Sequence, residues 1–335
     1  MMQSKYISFI IPVYNRPDEI KELLISFDNL LGSKDFEIVV IEDGSDFDCK
    51  NIVDLFKNKL NINYYFKDNS GPGDSRNYGM RKAKGNYFII LDSDCILPKD
   101  YMLCLLSNLK NNYYDCFGGV DDSHESFSNF QKAVSFSMTS FITTGHLRGG
   151  NKSKNFQPRS FNMGISKDTF NKSGGFGKIH PGEDPDLSIR LNDMGFTTGL
   201  YIDVKVFHKR RISVASFFKQ VYKFGVARSI LNLWHKKTKK IMYWFPTLFC
   251  LTLLISMVLT ILGLNYILIS IFTLYFLLIF LLSSVKNNPI VGVLSILTTI
   301  IQFFGYGYGF LKSYLMLKLY RNKGIEKVFP NMFFN

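Results

Sequence analysis

No aspartate, glutamate, lysine or arginine occurs from residue 241 to residue 285, and after Lys286 none occurs from 287 to 311. These runs are 45 and 25 residues long. A membrane-spanning helix needs roughly 20 apolar residues. Charge-free runs of this length exclude a chain that is soluble throughout and place the C-terminal third in a membrane. Cysteine is also scarce. The five thiols, Cys49, Cys95, Cys104, Cys116 and Cys250, form no Cys-x-x-Cys pair, which points away from a disulfide framework or zinc site and toward a reducing compartment. There is no internal repeat. No signal peptide is expected, because residues 1–14 read as a strand entering a domain.

The net charge is +13, yet no single basic block carries it. Lys236, Lys237, Lys239 and Lys240 precede the apolar runs, and Lys312, Lys318, Arg321, Lys323 and Lys327 follow them. Such flanks suit positive-inside anchors against anionic headgroups. The expected partner is therefore the lipid bilayer and not nucleic acid.

What precedes the membrane part alternates between two periodicities. Residues 7–15, 36–46, 62–68 and 86–94 are apolar strand-like runs. Residues 16–31, 47–60 and 71–85 read as helices, the first helped by Pro17 and Asp18 in its opening turn. Continuous apolar strands separated by helices predict an α/β domain with a mainly parallel sheet covered on both faces. Ligands bind at the carboxyl ends of such strands. Here those ends read Tyr14-Asn15, Glu42-Asp43-Gly44 and Asp92-Ser93-Asp94. Residues 120–160 are irregular, and 143–155 read as a mobile loop or lid. Further on, 160–176 predict strand, turn and short helix, 180–196 a loop leading into a helix, and 200–210 an extended segment. Residues 213–234 mix aromatics with Lys and Arg and suit an amphipathic helix on a membrane surface.

Several of these residues suit chemistry, each with a plainer alternative. Asp92 and Asp94, two apart beyond a strand, can share one Mg2+ or Mn2+ with substrate phosphate oxygens, or form a solvated turn. Asp43 can accept hydrogen bonds from a base or ribose, or punctuate a turn. Arg76 and the amides of the glycine-led helix start can meet a phosphate, or form an exposed connection. In Gly182-Glu-Asp-Pro-Asp186 a carboxylate can act as general base, or cap a helix. His208 is either a metal ligand or a structural histidine.

In order along the chain stand Ser8-Phe-Ile-Ile-Pro-Val-Tyr-Asn-Arg16, Ile38-Val-Val-Ile-Glu-Asp-Gly-Ser45, residues 71–94 ending in Asp92-Ser-Asp94, Phe161-Asn-Met-Gly-Ile165 and Gly182-Glu-Asp-Pro-Asp186. This set resembles the family 2 glycosyltransferases, over residues 5 to about 210. The resemblance implies a GT-A fold and an inverting hexosyltransferase-like enzyme using a UDP- or GDP-sugar and Mn2+ or Mg2+. It implies that Pro12, Tyr14 and Asn15 lie beside the nucleotide and that Asp43 contacts the base. Arg76 and Asn77 then lie near the nucleotide and phosphates, Asp92 on the ribose side, and Asp94 at the metal-bound diphosphate. His208 completes the metal site, Asp184 is the base, and Glu183, Asn162 and Gly164 border the acceptor. One departure stands out. Processive polymer synthases of the family carry Gln-x-x-Arg-Trp, where this chain has Gln220-Val-Tyr-Lys-Phe224. Addition of one or a few sugars to a membrane-associated acceptor in cell-surface polysaccharide synthesis is the expectation that follows. Alternatives are transfer to a polyprenyl phosphate, giving a lipid-linked monosaccharide, and a non-catalytic membrane scaffold.

The expected organisation is a catalytic domain over 1–210, an interfacial helix and basic linker over 211–240, membrane helices within 241–317, and a basic tail over 318–335. The helices are placed at about 243–263, 264–285 and 289–311. Nucleotide-sugars are cytosolic, so a multi-pass protein of the inner or plasma membrane with a cytoplasmic catalytic domain is expected. Three crossings would put the Lys-rich tail outside, against the positive-inside rule, whereas an interfacial third segment would keep it inside.

Overall fold

The computed structural model describes residues 6–122, 124, 126–145, 156–209 and 213–334. Most of the lid expected at 143–155 therefore lies outside the described residues, as do Arg210 at the end of the expected strand and the start of the expected linker. The chain forms two compact units. One comprises Met1–His124, Asn151–Lys209 and Phe333–Asn335, the other Glu125–Gly150 and Arg210–Met332.

The first unit holds strands β1 (Ile7–Val13), β2 (Phe36–Asp43), β3 (Ile62–Lys67), β4 (Tyr87–Leu91), β5 (Cys95–Ile96), β6 (Cys116–Asp122), β7 (Asn162–Ser166) and β8 (Thr198–His208). Its helices are α1 (Pro17–Asp28), α2 (Lys50–Phe56), α3 (Pro72–Lys82) and α4 (Tyr101–Asn111) in the first half of the chain. The second unit begins with α5 (Asn129–Thr139) and α6 (Phe141–Thr144), after which the first unit resumes with α7 (Lys167–Ser173) and α8 (Glu183–Asp193). The eight strands form one sheet in the order β3-β2-β1-β4-β7-β6-β8-β5. β3, β2, β1 and β4 run parallel, while β7 is antiparallel to both β4 and β6. β8 lies parallel to β6, and the short β5 runs antiparallel to β8. This mixed, mostly parallel sheet with flanking helices is the α/β architecture expected from the sequence.

The apolar runs explain why the sheet is covered twice. Ile7, Phe9, Ile11, Ile38, Val40, Ile89 and Leu91 bury against Leu24 and Phe27 of α1, Val53 of α2 and Leu105 of α4. The alternate residues Ile10, Val39, Ile41, Phe88 and Ile90 bury against Met80 of α3, Phe170 of α7 and Leu187 and Leu191 of α8. Alternation puts successive side chains on opposite faces. With helices on both faces, neither set can be polar.

The second unit adds α9 (Val214–Trp234), α10 (Phe245–Ile261), α11 (Ile267–Lys286), α12 (Pro289–Leu319) and α13 (Ile325–Val328) to α5 and α6. The segment expected to be irregular thus contains a regular helix, α5, whose apolar residues meet other helices: Val134 and Met138 pack with Phe217, Val221 and Ile301. Ser128 caps α5 in a capping box with Gln131. Among the described residues, Ile241–Ile261, Ile267–Lys286 and Pro289–Leu319 are long and apolar enough to cross a membrane. α12 runs eight residues past the expected end at 311. The Gly305-Tyr-Gly-Tyr-Gly309 stretch explains how α12 packs. A Cβ on Gly305 would sit 2.5 Å from Val221, and one on Gly309 2.3 Å from the Tyr222 carbonyl, both on α9. A Cβ on Gly307 would sit 3.0 Å from the backbone of Thr247 on α10. Small residues let helix backbones approach this closely.

Candidate active site

The parallel strands β1, β2 and β4 all deliver their carboxyl ends to one edge of the sheet, where polar side chains converge. β4 ends at Leu91, so Asp92, Ser93 and Asp94 form the turn into β5. Cys95 of β5 then pairs with His208 of β8. That pairing brings the His208 Nε2 to 3.1 Å from Asp94 Oδ1 and 3.9 Å from Asp92 Oδ2. The imidazole stacks on Phe161 with ring centroids 5.2 Å apart, and its Nδ1 lies 3.9 Å from Asp121 Oδ2.

Three arginines each face a carboxylate of this cluster. Arg16, at the start of α1, donates to Asp94 Oδ2. Arg76 of α3 forks: Nη2 donates to Asp92 Oδ1 and Nη1 to Glu183 Oε1, both at 2.8 Å. Arg159 Nη1 lies 3.6 Å from Asp184 Oδ2. Burial pushes the Asp94 carboxyl up, but His208 and Arg16 outweigh it and hold the group well below the usual carboxylate range. Glu183 behaves alike: burial raises it, while His180 Nδ1 at 3.1 Å and Arg76 bring it well below its ordinary value. Asp184 differs. Burial raises its carboxyl, Arg159 opposes this and the charge of Glu183 adds to it, so the net direction is up. Two adjacent carboxyls at the start of α8 are thus pushed apart, Glu183 toward permanent ionisation and Asp184 toward proton exchange.

A divalent cation fits this cluster. Asp94, Cys95 and His208 place potential ligand atoms within 4.8 Å of one another. Cys95 drops out: burial, with Asp94 and Asp92 adding to it, pushes its thiol far up, and the Sγ donates to the Phe161 carbonyl at 3.5 Å. Carboxylate oxygens and an imidazole remain, a donor set suited to Mn2+ or Mg2+. Asp94 Oδ1 is buried and faces His208 Nε2 at 3.1 Å, a carboxylate oxygen and a ring nitrogen that a cation could share.

The other expected site residues divide. Pro12, next to last in β1, is in register with Ile41, and Tyr14 beyond the strand is exposed. Asn15 adopts φ 51°. Its N–H donates to Ser45 Oγ at 2.7 Å, and its Oδ1 accepts from the Asp46 and Phe47 amides, so it ties the β1 turn to the loop after β2. Asp43 is buried and accepts from Lys67 Nζ and the Ser70 and Gly71 amides, at 2.5, 3.0 and 3.0 Å. Asn77 does not join the carboxylates: it donates to the Phe176 carbonyl and accepts from the Phe176 amide, both at 2.9 Å. Asn162 and Gly164, expected at the acceptor, lie instead inside the sheet. Asn162 accepts from Tyr101 Oη at 2.8 Å and donates to the Val204 carbonyl at 3.0 Å. Gly164 faces Phe117, whose ring would lie 1.9 Å from any added Cβ. Both amide atoms of Asn162 are used by the core, and Gly164 is there for close approach.

Arg16, Asp121, Arg159 and His180 join the cluster without having been read as site residues. Arg16 directly follows the Tyr14-Asn15 turn and His180 stands three residues before Glu183, so adjacency to known motifs was their one signal. Asp121 and Arg159 carry none.

Residues 8–170 match glycosyl transferase family 2. A Rickettsia conorii protein described as an uncharacterised glycosyltransferase is 38% identical over 112 residues, which is 32% of this chain and 18% of that protein. A Campylobacter jejuni GalNAc(5)-diNAcBac-PP-undecaprenol beta-1,3-glucosyltransferase is 31% identical over 115 residues, 33% of this chain and 37% of that protein. The chain thus spans well under half the length of these relatives. In fold it is similar to a mannosyltransferase from Pyrobaculum calidifontis solved with GDP-Man and Mn2+, with TM-score 0.61 and 14% identity over 96% of this chain and 89% of that one.

Proposed function

With residues 8–170 forming a family 2 glycosyl transferase domain, we propose that the chain is a membrane-anchored inverting glycosyltransferase. It moves a sugar from a UDP- or GDP-sugar to a membrane-associated acceptor in cell-surface glycan synthesis. The observation that carries this reading is the cluster of Asp92, Asp94 and His208 beyond the carboxyl end of β4, which Arg76 ties to Glu183, the neighbour of Asp184.

Asp94 and His208, with Asp92 beside them, would hold Mn2+ or Mg2+. A cation there supplies Lewis-acid neutralisation of the diphosphate leaving group. Arg76, charged and buried between Asp92 and Glu183, keeps Asp92 oriented toward the nucleotide side. Asp43, held at the end of β2 by Lys67 and the Ser70 and Gly71 amides, would border the base. Asp184 takes the acceptor proton: the acceptor oxygen bonds to the anomeric carbon, the carbon–phosphate oxygen bond breaks, and the nucleoside diphosphate leaves from the opposite face. A carboxyl with a raised pKa suits this role, since it binds the proton more readily than an ordinary aspartate.

The three apolar helices and their lysine flanks support attachment to a cell membrane with the catalytic unit on the cytoplasmic face. Transfer to a lipid-linked acceptor finds support in the Campylobacter relative, whose name specifies an undecaprenol-diphosphate-linked substrate, and in Arg159 beside Asp184, a cation placed for an anionic acceptor.

Purified full-length protein in nanodiscs, offered a panel of UDP- and GDP-sugars with Mn2+, is expected to release nucleoside diphosphate from one class, and faster when membrane lipid extract is added. Polyprenyl phosphate alone as acceptor separates lipid-phosphate transfer from glycan extension. Absence of release with every donor, with and without extract, would overturn the proposal.

A further inference from the structure

Arg16 sits where a bound cation would make it unwelcome. Its Nη1 holds Asp94 Oδ2, on the same carboxylate whose other oxygen faces His208 Nε2. Side-chain exposure is 28% for Arg16 and 12% for Asp94, so the pair is largely screened from water. Asp94 left alone there would be a poorly solvated charge, and Arg16 neutralises it. A divalent cation on Asp94 and His208 would neutralise it a second time and would repel the guanidinium at close range. The two cations therefore compete for one carboxylate. Arg16 stands in the turn between β1 and α1, two residues after the exposed Tyr14. It can leave Asp94 without disturbing the sheet, provided another anion receives it.

We infer that Arg16 is a counter-cation that holds the metal site shut until a nucleoside diphosphate arrives. The diphosphate brings negative charge to the same edge of the sheet and offers the guanidinium a bidentate partner. Arg16 moves from Asp94 to the phosphates, and Asp94 becomes open to the metal. Metal and nucleotide binding are then positively coupled, and the coupling is reciprocal. This rests on the metal-site reading above. Arg16 is a positioning residue: it acts through Asp94.

The test is Mn2+ binding followed by electron paramagnetic resonance of the free ion, on the full chain in nanodiscs, with Mn2+ alone and with UDP or GDP added. Wild type is expected to bind Mn2+ weakly alone and at least about tenfold more tightly with the nucleotide. Arg16→Gln is expected to bind Mn2+ alone more tightly than wild type and to lose most of the nucleotide effect. Arg16→Lys keeps the charge without the fork and is expected to fall between them; it stands in should the Gln variant not fold. Unchanged or weaker Mn2+ binding by Arg16→Gln, with nucleotide coupling intact, overturns the inference. No Mn2+ binding by any variant in any condition would instead sink the metal-site reading on which it rests.

Discussion

His208 pairs with Cys95 across the antiparallel β5–β8 ladder, and this register sets its Nε2 3.1 Å from Asp94 Oδ1. The side chain is further held by the Phe161 stack. A ligand fixed this well loses little entropy on binding, so its removal is costly. His208→Ala is expected to weaken Mn2+ binding by at least about tenfold, the lower bound for losing even an outer partner of a ligand. EDTA should abolish transfer in wild type, and added Mn2+ restore it. Metal titration of the variant checks this, and an unchanged affinity would remove His208 from the ligand set.

Asp184 sits beside Glu183 but titrates in the opposite direction, because Glu183 has Arg76 and His180 against it while Asp184 has Arg159 at 3.6 Å. The base must be ionised to accept a proton. With its pKa raised, activity falls as pH drops through a value above the ordinary aspartate pKa of about 3.9. A profile of kcat/KM against pH should show that acid limb. Asp184→Asn should lose about 10²–10⁴-fold in turnover and keep nucleotide-sugar affinity. Full turnover in this variant would exclude Asp184 as the base.

Arg76 and Glu183 form a buried ion pair, each side chain 4% exposed. Removing Arg76 leaves the buried Glu183 with His180 alone beside it, at a cost of up to about 3–5 kcal/mol. Arg76→Met should therefore lower the thermal midpoint markedly, and Arg76→Met with Glu183→Leu should recover much of the loss. Neither should recover transfer, because Asp92 loses the donor that orients it. Scanning fluorimetry beside an activity assay separates the two effects, and an active double variant would make Arg76 purely structural.

How much of this was legible in the sequence depends on what each residue's role requires. Strands β1, β2 and β4 are readable because helices cover both faces, so their sequences are continuous apolar runs. The clustering of Asp92, Asp94 and His208 follows from strand order and motif position. The partners of Asn77 and Asn162 were not legible, for the opposite reason. An amide serves a binding site and a backbone tie equally well, and the partner that decides, Phe176 for Asn77, stands 99 residues away. Helix α5 was hidden because its apolar face answers to Phe217, Val221 and Ile301, and no local periodicity announces a partner so distant. Arg16 was visible in the first motif, but its pairing with Asp94 depends on β1 and β4 being neighbours.

Gly164 shows how tightly the sheet sets its sequence. Its β7 register partner is Phe117 of β6, and the Phe117 ring is itself packed on Tyr87 and Tyr201. An added methyl has nowhere to go. Gly164→Ala should cost about 1–3 kcal/mol through overpacking, seen as a lower thermal midpoint in detergent. Pairing it with Phe117→Leu should return part of that cost. A neutral Gly164→Ala would mean that the Phe117 ring moves more freely than its stacked neighbours allow.

Phe333 pairs with Ile179, and the Phe334 N–H donates to the Lys178 carbonyl at 3.3 Å. The chain thus leaves the first unit after residue 209 and rejoins it at 333. A segment that departs from and returns to one aqueous face crosses a bilayer an even number of times. Among the described residues three helices are apolar enough to cross, so we propose that one of them does not. α12 is the candidate. Its 31 residues make about 46 Å of helix, longer than a hydrocarbon core of about 30 Å, and its glycines lie against α9 and α10. With α10 and α11 as the crossing pair, the turn near Gly263 faces outside and the Lys-rich segment 312–327 stays on the catalytic side, as the positive-inside rule asks. In intact cells, a membrane-impermeant maleimide should label Leu264→Cys directly and Arg321→Cys only after permeabilisation, each measured against the wild-type thiols. Labelling of Arg321→Cys from outside would require three crossings and would detach the tail from the catalytic unit.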